Sequence, residues 1–191
     1  MTKQDLFWQL LEPEHPKAEA FSRRLAGERE AGDDLYQEAL LAALQKFDTL
    51  REHAAFKPWL YRIIVNQFKN RRRGTGWRRF VPLSQEIAEE FPGWDPRDDH
   101  DSRRLLQRAF AAVTPEEKAL VTLFEIEGWS VSELASLHQA PEGTIKARLS
   151  RARSKMRKAL LPSVKKGKAF MKENERSNEA QLCVVTKPSK D

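Results

Sequence analysis

With 191 residues, 32% of them charged and 40% hydrophobic, the chain has room for one domain or two small ones. No run approaches the twenty or so apolar residues of a spanning helix, and one cysteine, Cys183, allows neither an internal disulfide nor a thiolate metal cluster. A net charge of +6 and a pI near 9.5, with the cations clustered rather than spread, point to an anionic partner and favour nucleic acid.

The N-terminus, MTKQDLFWQLLEPE, lacks the cationic start and apolar centre of a signal peptide, so a cytoplasmic location is expected. Residues 5–12 predict a short amphipathic helix, interrupted by Pro13 and Pro16. A second helix is expected from Lys17 to about Glu30 with Ala20, Phe21 and Leu25 inward, and Gly32 reads as a break. Asp33 or Asp34 then caps a third, whose core face is Leu35, Ala39, Ala42, Ala43 and Phe47; Asp34, Gln37, Glu38 and Gln45 are left outside. Such an acidic face is ordinarily just solvated.

Thr49 to Lys57 reads as a loop, and Pro58 as the start of a helix that packs through Trp59, Leu60, Ile63, Ile64 and Phe68. From Lys57 to Arg79 there are eight Lys or Arg and no acid, interleaved with Trp59, Tyr61, Phe68 and Trp77 and preceded by Phe56. Cations beside aromatic faces suit unstacked bases. Trp59 and Phe68 at helical spacing fit a core better than a base platform, whereas Arg62, Asn66, Lys69, Arg71, Arg72 and Arg73 do not fit a core.

Residues 74–102 change character, with Gly, Pro and then seven acids against one Arg between Ser84 and Asp101. This reads as a flexible acidic linker between two helical units, 1–73 and 103–161. Asp98, Asp99, His100 and Asp101 cannot all turn toward one ion, so no metal site is expected there. Arg103 resumes helix with Leu106, Ala109, Phe110 and Val113 inward, and Thr114-Pro-Glu-Glu opens another that Gly128 ends.

Ser130 and Glu133 form a capping-box spacing ahead of a short helix, Val131 to His138. Gln139, Ala140 and Pro141 make a corner, and in the next helix Ile145, Leu149, Ala152, Met156 and Ala159 recur on one narrow stripe. Opposite lie the small residues Gly143, Ala147, Ser150 and Ser154, flanked by Lys146, Arg151, Arg157 and Lys158. Small residues in the middle and long cations at the edges are what a helix needs to enter a major groove. Beyond Leu161 the tail, 162–191, is Lys-rich and then polar, and is expected to be disordered.

Two segments carry a family resemblance. The first is DDLYQEALLAALQKFDTLR followed by AFKPWLYRIIVNQFKNRRR; the second is TPEEKALVTLFEIEGWSVSELASLHQAPEGTIKARLSRAR. In this order, with a variable stretch between, the chain resembles the extracytoplasmic-function group of bacterial RNA polymerase sigma factors over about 20–73 and 103–160. The resemblance implies an all-α protein of two small domains, the second ending in a helix-turn-helix, with no catalytic centre, no cofactor and no metal. Its implied partners are core RNA polymerase and promoter DNA, with an anti-sigma factor as a further candidate and no membrane insertion.

The resemblance also implies a division of labour. Asp34, Leu35, Gln37 and Glu38 would hold the polymerase. The loop from Thr49 to Phe56, including His53 and Phe56, would capture a flipped base of the minus-ten element, and Arg62, Asn66, Lys69 and Arg72 would track the strand. In the second domain Lys146, Ala147, Ser150 and Arg151 would face bases of the minus-thirty-five element, with Thr144, Arg148 and Arg153 nearer the backbone. The chain departs from the family pattern at the corner, where Gln139 replaces a usual glycine and His138 a usual aliphatic residue. The competing function is a stand-alone helix-turn-helix regulator of duplex DNA, which would need neither the basic patch at 56–79 nor the acidic face at 34–38. An enzyme fits poorly, since His15, His53, His100 and His138 are scattered and no Gly-rich phosphate loop occurs.

Overall fold

The computed structural model describes residues 2–73, Ser84, Ile87 and 99–161, without the side chains of 72–73 and 99–103. Among the described residues the chain is all-α, with helices α1 (Lys3–Leu11), α2 (His15–Ala26), α3 (Arg29–Lys46), α4 (Phe56–Arg73), α5 (Asp99–Ala111), α6 (Pro115–Glu125), α7 (Val131–His138) and α8 (142–161). Two 3-10 turns, Phe47–Thr49 and His53–Ala55, interrupt the expected loop, whose last two residues, Phe56 and Lys57, already belong to α4.

Local chemistry explains where the helices begin. Thr2, Thr114 and Ser130 each accept from the amide three residues on, and Asp5, Glu117 and Glu133 return a carboxylate to the cap's own N–H. The first of these boxes adds two residues to the front of the expected first helix. Gly32, which reads as a break, lies inside α3 instead: a Cβ there would sit 2.3 Å from the Arg23 Cα, so the glycine lets α2 and α3 cross in close contact. The turn between them is made by Gly27 at φ 89°, where a left-handed residue closes α2 and its N–H donates to the Arg23 carbonyl.

One hydrophobic cluster runs through both halves. Phe7, Phe21, Leu25, Leu35, Leu60, Tyr61, Ile64 and Phe68 share it with Leu120, Leu123, Trp129, Leu134, Leu137, Ile145 and Leu149. Helix α4 is its axle, packing on α2 and α3 on one side and on α6 and α7 on the other. Of the expected linker, the described residues are Ser84, whose N–H donates to the Gly27 carbonyl at 2.8 Å, Ile87, which is buried against Phe110, and 99–102 at the start of α5. The rest of 74–98, Trp77 and the Asp98 side chain included, and the tail 162–191 with Cys183 lie outside the described residues.

Candidate nucleic-acid interface

Helix α8 divides as its spacing predicts. Ile145, Leu149 and Ala152 are buried and Met156 half-buried, while Lys146, Ala147, Arg148, Ser150, Arg151 and Arg153 are exposed and Thr144 is half-buried. The corner that aims it is built from backbone. Gln139 adopts the left-handed region at φ 50°, and its N–H and that of Ala140 return to carbonyls of the last turn of α7. The Pro141 carbonyl then accepts from Thr144 and Ile145 to open α8.

The cations of α8 are not equally available. Arg153 is paired with Glu125 at 2.6 Å and lies over the Phe124 ring, and Lys155 is paired with Glu117, so these two lash α8 to α6. Lys146 reaches back to Glu142 at 3.7 Å, an exposed pair a groove could take apart at little cost. Arg148 and Arg151 have no ion pair among the described residues, and both border a cavity of about 390 Å³ with Thr114, Glu116, Leu120 and His138. His138 Nε2 is buried with no hydrogen-bond partner among those residues. Burial lowers the imidazole's pKa from its usual range, and Arg148 lowers it further.

The first unit presents a different picture. His53 and Asn66 are exposed, His53 on the second 3-10 turn and Asn66 on α4. Phe56, expected to meet a flipped base, is buried instead, with its ring edge-on to Phe7 at 5.8 Å and packed beside Trp59. An aromatic at the first residue of α4 sits where four rings meet, so it anchors the loop from beneath. Arg62 is half-buried: its Nε donates to the Leu137 carbonyl at 2.7 Å and a terminal nitrogen to that of Ser136 at 2.8 Å. Lys69 is ion-paired with Glu116, and Lys57 with Glu133 at 3.0 Å. The side chain of Arg72 lies outside the described residues.

On α3, Asp34, Gln37 and Glu38 face outward, whereas Leu35, expected beside them, is buried and heads the inward row with Ala39 and Ala43. Two turns of helix separate Asp34 from Leu41, which is 63% exposed on the same side and which sequence reasoning passed over as an ordinary helix residue. Arg71 donates to Glu38 at 2.9 Å and holds its carboxyl below the usual range. The pairing of Glu116 and Glu133 with cations of α4 was also missed: Lys69 lowers the pKa of the first, and the Ser130 N–H of its capping box followed by Lys57 lowers that of the second. Their partners are about 47 and 76 positions away in sequence, beyond any local signal. Among the described residues no group of three or more His, Cys, Asp or Glu could hold a metal, and no helix is long and apolar enough to cross a membrane.

Family models for sigma-70 region 2 and sigma-70 region 4 match residues 10–78 and 103–156. The RNA polymerase sigma-H factor of Pseudomonas aeruginosa is 33% identical over 150 residues, covering 73% of this chain and 78% of its own. The extracytoplasmic-function sigma-E factor of Haemophilus influenzae is 31% identical over 142 residues, covering 68% and 74%. SigM of Mycobacterium tuberculosis, from the same group, is 29% identical over 154 residues and covers 81% and 76%. Among solved structures, the sigma factor RpoE of Bartonella quintana in complex with the anti-sigma factor NepR superposes with a TM-score of 0.58 at 25% identity, over 81% of this chain and 96% of that one. CnrH in complex with the cytosolic domain of CnrY shares the fold at a TM-score of 0.58 and 23% identity, over 84% and 90%.

Proposed function

We infer the function from one premise: the chain belongs to the extracytoplasmic-function group of RNA polymerase sigma factors. It is a promoter-specificity subunit that binds core RNA polymerase and directs it to a set of promoters, with no catalytic centre of its own and a place of work in the cytoplasm. The observation that carries this is the pair of matched segments in one chain, each bringing its own cationic helix, α4 and α8.

The division of labour follows the charges. The outward face of α3, with Asp34, Gln37, Glu38 and the exposed Leu41, docks on the polymerase; an apolar residue ringed by acids and amides suits a partly desolvated contact. Helix α4 meets the opened strand through Arg62, Asn66 and Lys69, with His53 at the loop and Phe56 and Leu35 acting from beneath as supports. Helix α8 enters the major groove of the upstream element with Lys146, Ala147, Ser150 and Arg151 toward the bases and Thr144 and Arg148 toward phosphates. Arg153 contributes mainly by holding α8 on α6. Two domains with boundaries at 1–73 and 103–161 and a linker of 74–102 are the arrangement such a machine requires, since the two elements it reads are separated on DNA. An anti-sigma factor is the regulator this fold admits, as the Bartonella protein has one.

Run-off transcription with core polymerase on a promoter library tests the whole reading. Polymerase-dependent initiation at a defined promoter class is expected; sequence-specific duplex binding with no effect on polymerase would favour the stand-alone regulator. Charge reversal of Asp34 and Glu38 to Lys should reduce polymerase affinity by more than about 100-fold, as buried interfacial charges do, and leave helix content intact. Unchanged affinity would remove the docking assignment.

A further inference from the structure

The cavity bordered by α6, α7 and α8 has no part in the division of labour above. Every residue that lines it lies between Thr114 and Lys155, so the second unit alone builds it. Two of the lining charges are acids, and both are engaged: Glu116 pairs with Lys69 of α4, and Glu117 pairs with Lys155 while closing the Thr114 capping box. Arg148 and Arg151 have no ion pair among the described residues, so the lining carries an excess of positive charge. His138 adds a second observation. It ends α7 where the family usually carries an aliphatic side chain, and it lines the same cavity with its Nε2 buried and no hydrogen-bond partner among the described residues. A buried ring nitrogen left without a partner is costly, and an incoming oxygen relieves it. Burial disfavours the charged ring; Arg148 also opposes its protonation, Glu116 favours it, and Arg62 and Lys69 of α4 oppose it. An anion between the ring and the guanidinium turns that repulsion into attraction.

We propose that this cavity is a phosphate-binding site, with the Arg148 guanidinium and the His138 Nε2–H as its ligands and Arg151 at its rim. A guanidinium fork matches the oxygens of a phosphate, and the imidazole supplies a further donor that becomes a cation on protonation. The cavity, at about 390 Å³, falls among small-molecule sites of about 300–1,000 Å³, so it admits a free phosphate ester as well as a phosphate of the DNA backbone. Recognition is the same chemistry in both cases. Because the anion favours the protonated ring, its affinity rises as pH falls through the His138 titration. A free ester held by Arg148 would also take from α8 a cation assigned to the duplex.

The test follows the histidine ring protons of the full chain by NMR while sulfate replaces chloride at constant ionic strength. Sulfate stands in for phosphate because its own charge stays constant where imidazole titrates. The pKa of His138 should rise as sulfate binds, with His15 and His53 unmoved; His138→Leu, the side-chain class usual at this corner, assigns the signal. Arg148→Gln should weaken sulfate binding about tenfold or more, the loss expected of a charge-assisted hydrogen bond. Arg157→Gln makes the same charge change at an exposed position off the cavity and should weaken it less than about twofold. Equal weakening by the two variants, or a His138 titration indifferent to sulfate, overturns the proposal. This arm needs neither promoter nor polymerase, so its failure is distinct from failure of the proposed function. Methylphosphonate replacement, one phosphate at a time, in an upstream duplex that the chain binds then separates the sources. One position that weakens the wild-type chain but not Arg148→Gln assigns the site to the DNA backbone. Sulfate binding with no such position assigns it to a free phosphate ester.

Discussion

Helices α4 and α8 are built on one plan, a buried apolar stripe with Arg and Lys on the remaining surface, yet they stand in opposite states. On α8 the stripe of Ile145, Leu149 and Ala152 is covered while Arg148 and Arg151 remain without ion pairs among the described residues. On α4 the stripe of Leu60, Ile64 and Phe68 is covered from two sides, and Lys57, Arg62 and Lys69 are each engaged by the other half of the chain. A cationic helix is a nucleic-acid surface only if its neighbours leave the charges free. The sequence of the helix gives the charges and says nothing of the neighbours.

The difference can be broken most severely at the axle. Ile64 is fully buried on the helix that touches both halves, so Ile64→Ala should cost about 2–5 kcal/mol, the usual toll of a large-to-small change in a packed core. Urea unfolding should show both halves weakened together. A variant that melts only α2 and α3, leaving the α7–α8 amides protected, would show that the halves do not share their stability.

Arg151→Ala probes the free surface. If the guanidinium makes a bidentate base contact, binding to the preferred upstream duplex should fall by about 1–3 kcal/mol, with a much smaller effect on unrelated duplexes. Uniform weakening across sequences would make it a phosphate contact, and specificity would then rest on Lys146 and groove shape. The engaged surface should behave otherwise: Arg62→Ala removes both hydrogen bonds to the last turn of α7, so amide exchange over Val131–His138 should quicken while duplex binding by α8 is unchanged.

Much of this was legible beforehand. The 3.6-residue period of α8, the Ser130 and Thr114 caps and the corner at Gln139 are local features, and each was found where spacing placed it. The failures were non-local. Gly32 reads as a break because only the approach of Arg23 from α2 reveals a close crossing. Phe56 reads as a base platform because nothing near it in sequence shows Phe7 and Phe47 packed on its ring. At Leu35 the local reading held and the family motif misled: spacing places it on the core face with Ala39 and Ala43, where it is buried, and a turn of 100° per residue points it away from its motif neighbour Asp34.

Acid should dissolve the contrast between the helices. Lys69 holds Glu116, and the Ser130 N–H together with Lys57 holds Glu133, below the usual carboxylate range, so their contribution is present above the ordinary pKa and lost as pH falls through the folded one. His138, at the same joint, faces Arg62 and Lys69 from α4, Glu116 from α6 and Arg148 from α8. Its folded pKa is lowered, chiefly by burial, so below about pH 6.5 the unfolded chain binds the proton first and stability declines with pH. The melting temperature should therefore fall between about pH 7 and 5, ahead of the carboxylate loss, and His138→Gln should flatten that segment. A profile unchanged by the substitution would place the titrating group elsewhere.

The smallest effect is expected at the corner. Gln139 holds φ 50°, where a side chain is crowded by the adjacent carbonyl at a cost of about 1–2 kcal/mol that glycine escapes. Glycine also gives the unfolded chain more freedom, a loss of about 0.5–1 kcal/mol that offsets much of the gain. Gln139→Gly should then raise stability by under about 1 kcal/mol and leave duplex specificity unchanged, since the N–H groups of Gln139 and Ala140 that close the corner are kept. A clear loss of duplex affinity without loss of stability would mean that the left-handed glutamine fixes the angle at which α8 meets the groove. In that case the corner, more than the free arginines, separates the behaviour of α8 from that of α4.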